Sequence, residues 1–306
     1  MSKQLRGSII LLLAAIIWGA AFVAQDKGVD FVGAFTFNSV RWIMGAVFLT
    51  PIMLIANRKE LKPKPQKEFY FNKSELLGGT ICGVLLFVSS SFQQFGISLY
   101  ADADAAAGKS GFITALYIIL VPIFGIFLKK KVPASVWISI VVAVVGMYLL
   151  CIKDSFSISL PDLLILLCAL SFTFHILTVD GFSANSNGLK FSVVQMFVCG
   201  VISTAAMFIF ETPTIENIMK AGIPLLYAGI LSSGIAYTMQ ILGQKDTNPA
   251  LASVIMSLES VFAALTGALF GERMSQREIL GSVIMFTAVL LAQIDLSVIL
   301  KREKVK

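Results

Sequence analysis

Ten apolar stretches of roughly 20 residues leave this chain few ways to fold; they lie at about 7–24, 33–56, 76–99, 106–128, 134–152, 161–179, 190–210, 222–243, 249–270 and 277–297. Each is long enough to cross a ~30 Å hydrocarbon core as a helix. Inside such a core every backbone N–H and C=O must be bonded within the protein, so only helices or a closed barrel can span it. Barrel strands would be shorter and would alternate apolar with polar residues, and residues 9–17 show no alternation. Composition agrees, with 57% hydrophobic and 14% charged residues and a mean hydropathy of +0.86. The first stretch follows Lys3 and Arg6, and no small-x-small cleavage pattern comes after it. It is read as an uncleaved first helix rather than a signal peptide. The expected fold is an all-α membrane protein of ten transmembrane helices.

The ten stretches divide into two similar halves. A shift of 142 pairs Ser90-Ser91 with Ser232-Ser233, Phe95 with Tyr237, Tyr117 with Glu259 and Gly125 with Gly267. A shift of 154 pairs Phe37, Val40 and Arg41 with Phe191, Val194 and Gln195, and a shift of 153 pairs Gly28 with Gly181. The common order of these matches predicts two repeats, 7–152 and 161–297, with a polar linker at 57–74 in the first alone. Five spans per repeat is an odd number, so the copies enter the membrane from opposite sides. Such inverted repeats can exchange conformations around a central site, which points to a transporter.

Charge sets the orientation. With the N-terminus inside and the spans alternating, 17 Lys and Arg residues fall on the inner side and 6 on the outer, with Arg41 inside a span. That bias predicts an integral protein of a plasma or inner membrane with both termini cytoplasmic. The basic C-terminal tail is explained by anionic lipid, without a nucleic-acid partner. The oligomeric state is open, a homodimer included.

Few residues within the spans can carry chemistry. Ionisable groups at mid-helix cost at least ~2.5 kcal/mol on insertion scales, so each needs a partner, a wet cavity or a function. Glu259 sits near the middle of the ninth span, where it is either a proton-binding group or a hydrogen-bonded structural carboxyl. Arg41, in the second span, could bind an anionic group, pair with Glu259 or lock helices together. His175 is the only histidine and lies mid-way along the sixth span, either packed and hydrogen-bonded or sensing pH. With no ligands spaced around it, no metal site is expected. Gln93, Gln94, Gln195 and Gln240 must find partners in a medium without water. Tyr117 and Tyr237 are cavity candidates, as is Trp18; Tyr100 fits an interfacial anchor. The cavity set is therefore Trp18, Gln94, Tyr117, His175, Gln195, Tyr237 and Gln240, with Glu259 and Arg41 as the intramembrane charges, and Tyr117, Tyr237, Gln94, Trp18 and Glu259 are expected to meet in one central cavity. Gly78, Gly79 and Gly83 predict close helix packing, Pro122 a bend in the fourth span, and Asn248-Pro249 a helix cap. Cys82, Cys151, Cys168 and Cys199 have no CxxC spacing and are read as packing residues.

These residues resemble a known family over nearly the full chain. The resemblance rests on Trp18-Gly19, Arg41, Pro122-Ile-Phe-Gly with the charge cluster that follows, Leu258-Glu259-Ser-Val-Phe-Ala-Ala-Leu running to Gly271-Glu272-Arg273, and Gly281. On these the chain resembles the EamA-like group of the drug/metabolite transporter superfamily. The resemblance implies ten helices and the export or uptake of a small metabolite, such as an amino acid or amine, with no cofactor. Three departures stand out. Ser260 replaces a frequent proline, which predicts a straighter ninth helix; Lys129-Lys130-Lys131 ends the first repeat; and Ser171-Phe172 stands where Trp-Gly would recur.

Other classes fit less well. The only close carboxylate pair is Asp102-Ala-Asp104, in an external connection, so no enzyme is expected. No GxxxxGK[ST] loop is present to bind ATP, and no filter loop or charged ring marks a channel. A membrane receptor or scaffold without transport is the alternative.

Overall fold

The computed structural model describes residues 2–59, 71–100, 103–151, 159–269 and 274–293. Most of the 57–74 linker, Asp102, the Gly271-Glu272-Arg273 cluster, the basic tail, and the side chains of Asp104 and Cys151 lie outside it. The described residues are helical, without strands. In the first half lie α1 (Lys3–Val29), α2 (Ala34–Lys59), α3 (Lys73–Ser98), α4 (Ala103–Ala115), α5 (Tyr117–Phe127) and α6 (Ala134–Cys151). In the second lie α7 (Leu160–Ser183), α8 (Gly188–Phe210), α9 (Ile215–Lys220), α10 (Gly222–Leu226), a π-helical stretch (Tyr227–Ala236), α11 (Tyr237–Gln244), α12 (Pro249–Met256), α13 (Glu259–Leu269) and α14 (Gln276–Ala292).

Eight helical segments among the described residues are long and apolar enough to cross a membrane. The fifth and tenth expected spans are α6 and α14, with 18 and 17 residues. At 1.5 Å per residue these rise about 27 and 26 Å, the short end for a ~30 Å core. Large apolar side chains such as Phe127, Phe208, Ile209, Phe210, Ile223 and Leu269 are exposed on the bundle, as a surface solvated by lipid requires.

Helix starts follow local chemistry. Asn72 and Glu75 form a reciprocal capping box at α3, as do Ser275 and Glu278 at α14. Asn248 caps α12 ahead of Pro249, its Oδ1 accepting from the Ala250 N–H at 3.0 Å. Lys129, within the lysine triplet after α5, takes a left-handed backbone with φ 58°, and the Lys130 N–H closes on the Gly125 carbonyl at 2.9 Å.

Two spans break where the sequence suggested otherwise. In the fourth span the chain divides α4 from α5 at Leu116, and Pro122, where a bend is expected, sits within α5. The ninth span is not straighter for having Ser260 in place of proline, because it divides at Ser257-Leu258, between α12 and α13. Serine hydroxyls supply a reason. Ser253, Ser257 and Ser260 donate to the carbonyls of Ala250, Val254 and Ser257, each at 2.8 Å. These three-residue back-bonds compete with the helix ladder and tighten the turn.

Packing sets opposite halves against each other. α2 lies along α8, α6 along α14, and α1 along α13, α11 and the π-helical stretch; α3 packs on both α7 and α8. Glycines permit the close approaches. A Cβ on Gly78 would lie 2.7 Å from Phe182, on Gly79 2.7 Å from Val194, and on Gly83 2.7 Å from the Gln195 carbonyl, so the expected small-residue face is the seat of α7 and α8. Cys82, Cys168 and Cys199 are buried and free. Gly28 and Gly181 do not behave alike: a Cβ on the first would strike Phe37, while nothing lies within 4 Å of the second.

Two carboxylates join the halves at helix starts. Glu211, after α8, accepts from the Phe35 and Thr36 N–H groups at 2.8 Å each and from the Thr36 hydroxyl at 2.6 Å. Glu75 accepts from the Asn187 N–H at 2.9 Å, just before α8. Each satisfies orphan donors at a helix N-terminus and faces the positive end of its dipole. Glu211→Ala should therefore destabilise the protein by about 1–2 kcal/mol, seen as a lower melting temperature in detergent; an unchanged melting curve rejects the cap. A third carboxylate, Asp162, accepts from Tyr100 at 2.6 Å and Lys109 at 2.7 Å. Burial, and then Asp162, push the Tyr100 hydroxyl well above its ordinary range, so it stays a donor. Tyr100 is thus a partner in a polar cluster.

Candidate functional site

The two broken spans bring their second halves to one place. Tyr117 is the first residue of α5 and Glu259 the first of α13. Their side chains meet: the Tyr117 hydroxyl donates to Glu259 Oε1 at 3.0 Å, both residues buried. These two positions are the ones that the 142-residue shift of the sequence pairs. Both half-helices begin on a central cavity of about 40 Å³, room for only a few waters at roughly 10–15 Å³ each.

Trp18, Arg41, Tyr117, Tyr237, Gln240 and Glu259 line this cavity together. Trp18 and Trp42 both meet the Tyr237 ring edge-on, with centroids 4.9 and 5.1 Å apart. The Arg41 guanidinium lies 4.9 Å above the Trp42 ring and donates to Gln25 Oε1 at 3.1 Å. Its Nε has no partner among the described residues. The considered pairing of Arg41 with Glu259 does not occur, since each charge holds a different neighbour. The aromatic faces around the guanidinium offset part of its desolvation.

Gln94, His175 and Gln195 stand behind the wall. Gln94 donates to the Gln25 carbonyl at 3.3 Å, which leaves Gln93 to line the cavity with a 3.3 Å hydrogen bond to Thr114. His175 Nε2 and Gln195 Oε1 are 3.2 Å apart, and the His175 ring packs edge-on against Tyr237 at 5.9 Å. The expected meeting of five residues is therefore realised by Trp18, Tyr117, Tyr237 and Glu259, with Gln94 one layer out.

Gln25, Thr114 and Ser232 also line the cavity. Gln25 falls beyond the expected end of the first span at 24, but α1 continues to Val29 and keeps it within the helix. Ser232 belongs to the duplicated Ser-Ser pair, a signal present in the sequence. The π-helical stretch that carries it has no such signal; π turns concentrate at functional sites. Among the described residues, no group of three or more His, Cys, Asp or Glu side chains could hold a metal ion.

Two atoms of the cavity residues lack protein partners, Trp18 Nε1 and Gln240 Oε1, as do Gln94 Oε1, Gln195 Nε2 and His175 Nδ1 in the layer behind. Buried polar groups without partners are costly, so this wall is chemically suited to a polar guest or to water. Opposite charges, amides and aromatic faces together can hold a small molecule with both polar ends and an apolar body.

Comparison with known proteins gives consistent matches along the chain. Residues 5–152 and 159–293 each match the EamA-like transporter family. An uncharacterized transporter of Archaeoglobus fulgidus is 28% identical over 294 residues, covering 95% of this chain and 87% of the relative. The uncharacterized transporter YoaV of Bacillus subtilis is 23% identical over 288 residues, covering 90% and 92%. A protein crystal structure superposes with a TM-score of 0.76 at 15% identity, covering 94% of this chain and 96% of that one, a likeness of fold.

Proposed function

Because this chain belongs to the EamA-like transporter family, and is thus an integral membrane transporter and not an enzyme, we propose that its central cavity binds a small organic solute and delivers it by alternating access. The observation that carries this reading is the junction of two broken spans, one from each half, at a cavity with unpartnered polar walls. The cavity's present size favours a contracted state, so a metabolite enters only when the walls part.

Ten spans in two inverted five-helix repeats, 7–152 and 161–297, supply the two states. Support comes from the contact of Tyr117 with its shifted counterpart Glu259, from the matched breaks at Leu116 and Ser257-Leu258, and from the packing of α6 on α14. Arg41 offers a carboxylate partner beside amides and aromatic faces, which favours an amino-acid-like solute over a simple amine. Glu259 is the proton-coupling candidate.

Substrate-driven counterflow in liposomes, run across amino acids, amines and aromatic metabolites, tests the function. Counterflow with at least one zwitterion is expected; its absence for every solute favours the receptor or scaffold alternative. Both termini and the 57–74 linker are proposed to be cytoplasmic from the cation bias. Gln66→Cys in a cysteine-free background should resist impermeant thiol reagents added outside intact cells, and labelling there rejects the topology.

A further inference from the structure

At the end of the bundle where α1 begins, a vestibule of about 460 Å³ is lined by Lys3, Lys130, Gln244, Lys245 and Thr247, among others. Gln244 is itself only 2% exposed, at the end of α11. One helical turn earlier on the same helix, Gln240 lines the central cavity. Gln240 Nε2 donates to Gln244 Oε1 at 2.9 Å, and Gln244 Nε2 donates to the carbonyl of Ile176 at 3.0 Å. Ile176 also lines the central cavity. A short hydrogen-bonded clasp thus joins the two hollows.

We propose that this vestibule is the antechamber of the central cavity and that the Gln240–Gln244–Ile176 clasp is the closed barrier between them, opened by a small polar solute. The proposal rests on the cavity as a solute site and adds its route. Three observations support it. Gln244 belongs to one hollow and Gln240 to the other, yet their amides bond directly. Each lining contributes a buried polar atom without a partner, Gln240 Oε1 from the cavity residues and Thr247 Oγ1 from the vestibule residues. On one side of the clasp the backbones are flush: a Cβ on Gly243 would lie 2.7 Å from Leu11 and 3.0 Å from the Gly7 carbonyl, which closes the seam between α1 and α11.

Amides suit such a barrier. When closed, the Gln240 amide donates to Gln244 and Gln244 donates to Ile176, which offsets part of the cost of burying them. When parted, the same donors and acceptors can bond the passing solute, whereas an apolar plug would force it to shed its hydrogen bonds. At the vestibule rim Lys130 and Asp180 form an ion pair at 2.5 Å that ties the segment after α5 to α7, keeping the entrance shaped while the amides move.

The test needs no transported solute. Ser232→Cys in a cysteine-free background places a reporter on the cavity wall, and an impermeant thiol reagent is applied to each face of oriented vesicles. Gln244→Ala should raise labelling from the vestibule face by roughly tenfold, a change within the ~0.1–10% range of an open minor state, and leave the other face unchanged. Gln240→Asn, which keeps the amide but shortens its reach, should act likewise and serves if the alanine variant does not fold. Unchanged labelling in a folded variant, or a rise from the opposite face alone, overturns the proposal. Counterflow with unchanged labelling rejects the barrier and leaves the transport reading standing; raised labelling without counterflow for any solute does the reverse.

Discussion

Glu259→Gln is expected to abolish solute accumulation against a gradient while leaving exchange between equal pools. Glutamine keeps the shape of the side chain and mimics the protonated acid, and its Oε1 can still accept from the Tyr117 hydroxyl that now lies 3.0 Å away. The fold should therefore survive, and the loss should fall on the proton-linked step alone. Arg41 sharpens the expectation, because it donates to Gln25 and not to Glu259. Neutralising Glu259 therefore breaks no ion pair, so the fall in folded yield expected of a buried pair losing one member should not appear. Accumulation assayed with an imposed proton gradient, beside exchange and folded yield, separates these outcomes. A variant that accumulates solute as well as the parent does excludes Glu259 as the coupling residue.

Gly281→Val should strongly destabilise the protein. α14 crosses α6 with glycine against glycine. A Cβ on Gly281 would lie 2.6 Å from both the Gly146 carbonyl oxygen and the Leu150 nitrogen, and one on Gly146 would lie 2.9 Å from the Gly281 oxygen and the Met285 nitrogen. The obstructing atoms are backbone, so no rotamer change relieves the clash and the helices must separate. Overpacking of this kind typically costs about 1–3 kcal/mol, occasionally more, and membrane helices held by close van der Waals contact lose that contact together. Gly281→Ala should lower the melting temperature in detergent and Gly281→Val should largely remove the folded fraction. Gly222→Ala, with nothing within 4 Å, is the silent control. A Gly281→Ala protein that melts with the parent rejects the crossing as a constraint.

Much of the candidate site was legible as a set of residue types. Charges, amides and tyrosines within apolar spans are rare enough that Arg41, Tyr117, Tyr237, Gln240 and Glu259 stand out by position alone, and all five line the cavity. Gln93 and Gln94 show where such reading stops. Adjacent residues on a helix point about 100° apart, and nothing local says which glutamine faces inward; the packing of α3 against α7 and α8 turns Gln93 to the cavity and Gln94 to the Gln25 carbonyl. Gln25 was hidden by a span boundary, and the break before Glu259 by the expectation that only proline interrupts a helix.

The amino-acid sequence by itself determined that this protein is a helical membrane bundle with a short set of polar groups within its apolar spans. It could do so because a hydrocarbon core demands that each span satisfy its own backbone, so composition over about 20 residues suffices. Only the tertiary structure decided that Tyr117 bonds Glu259, that Arg41 rests on Trp42 and Gln25, and that Gln240 clasps Gln244. It also set where two spans break and where a π-helical stretch forms. Those outcomes depend on the rotation and register of one helix against another, which are set by side chains meeting from distant residues such as Tyr117 and Glu259, 142 positions apart in the chain.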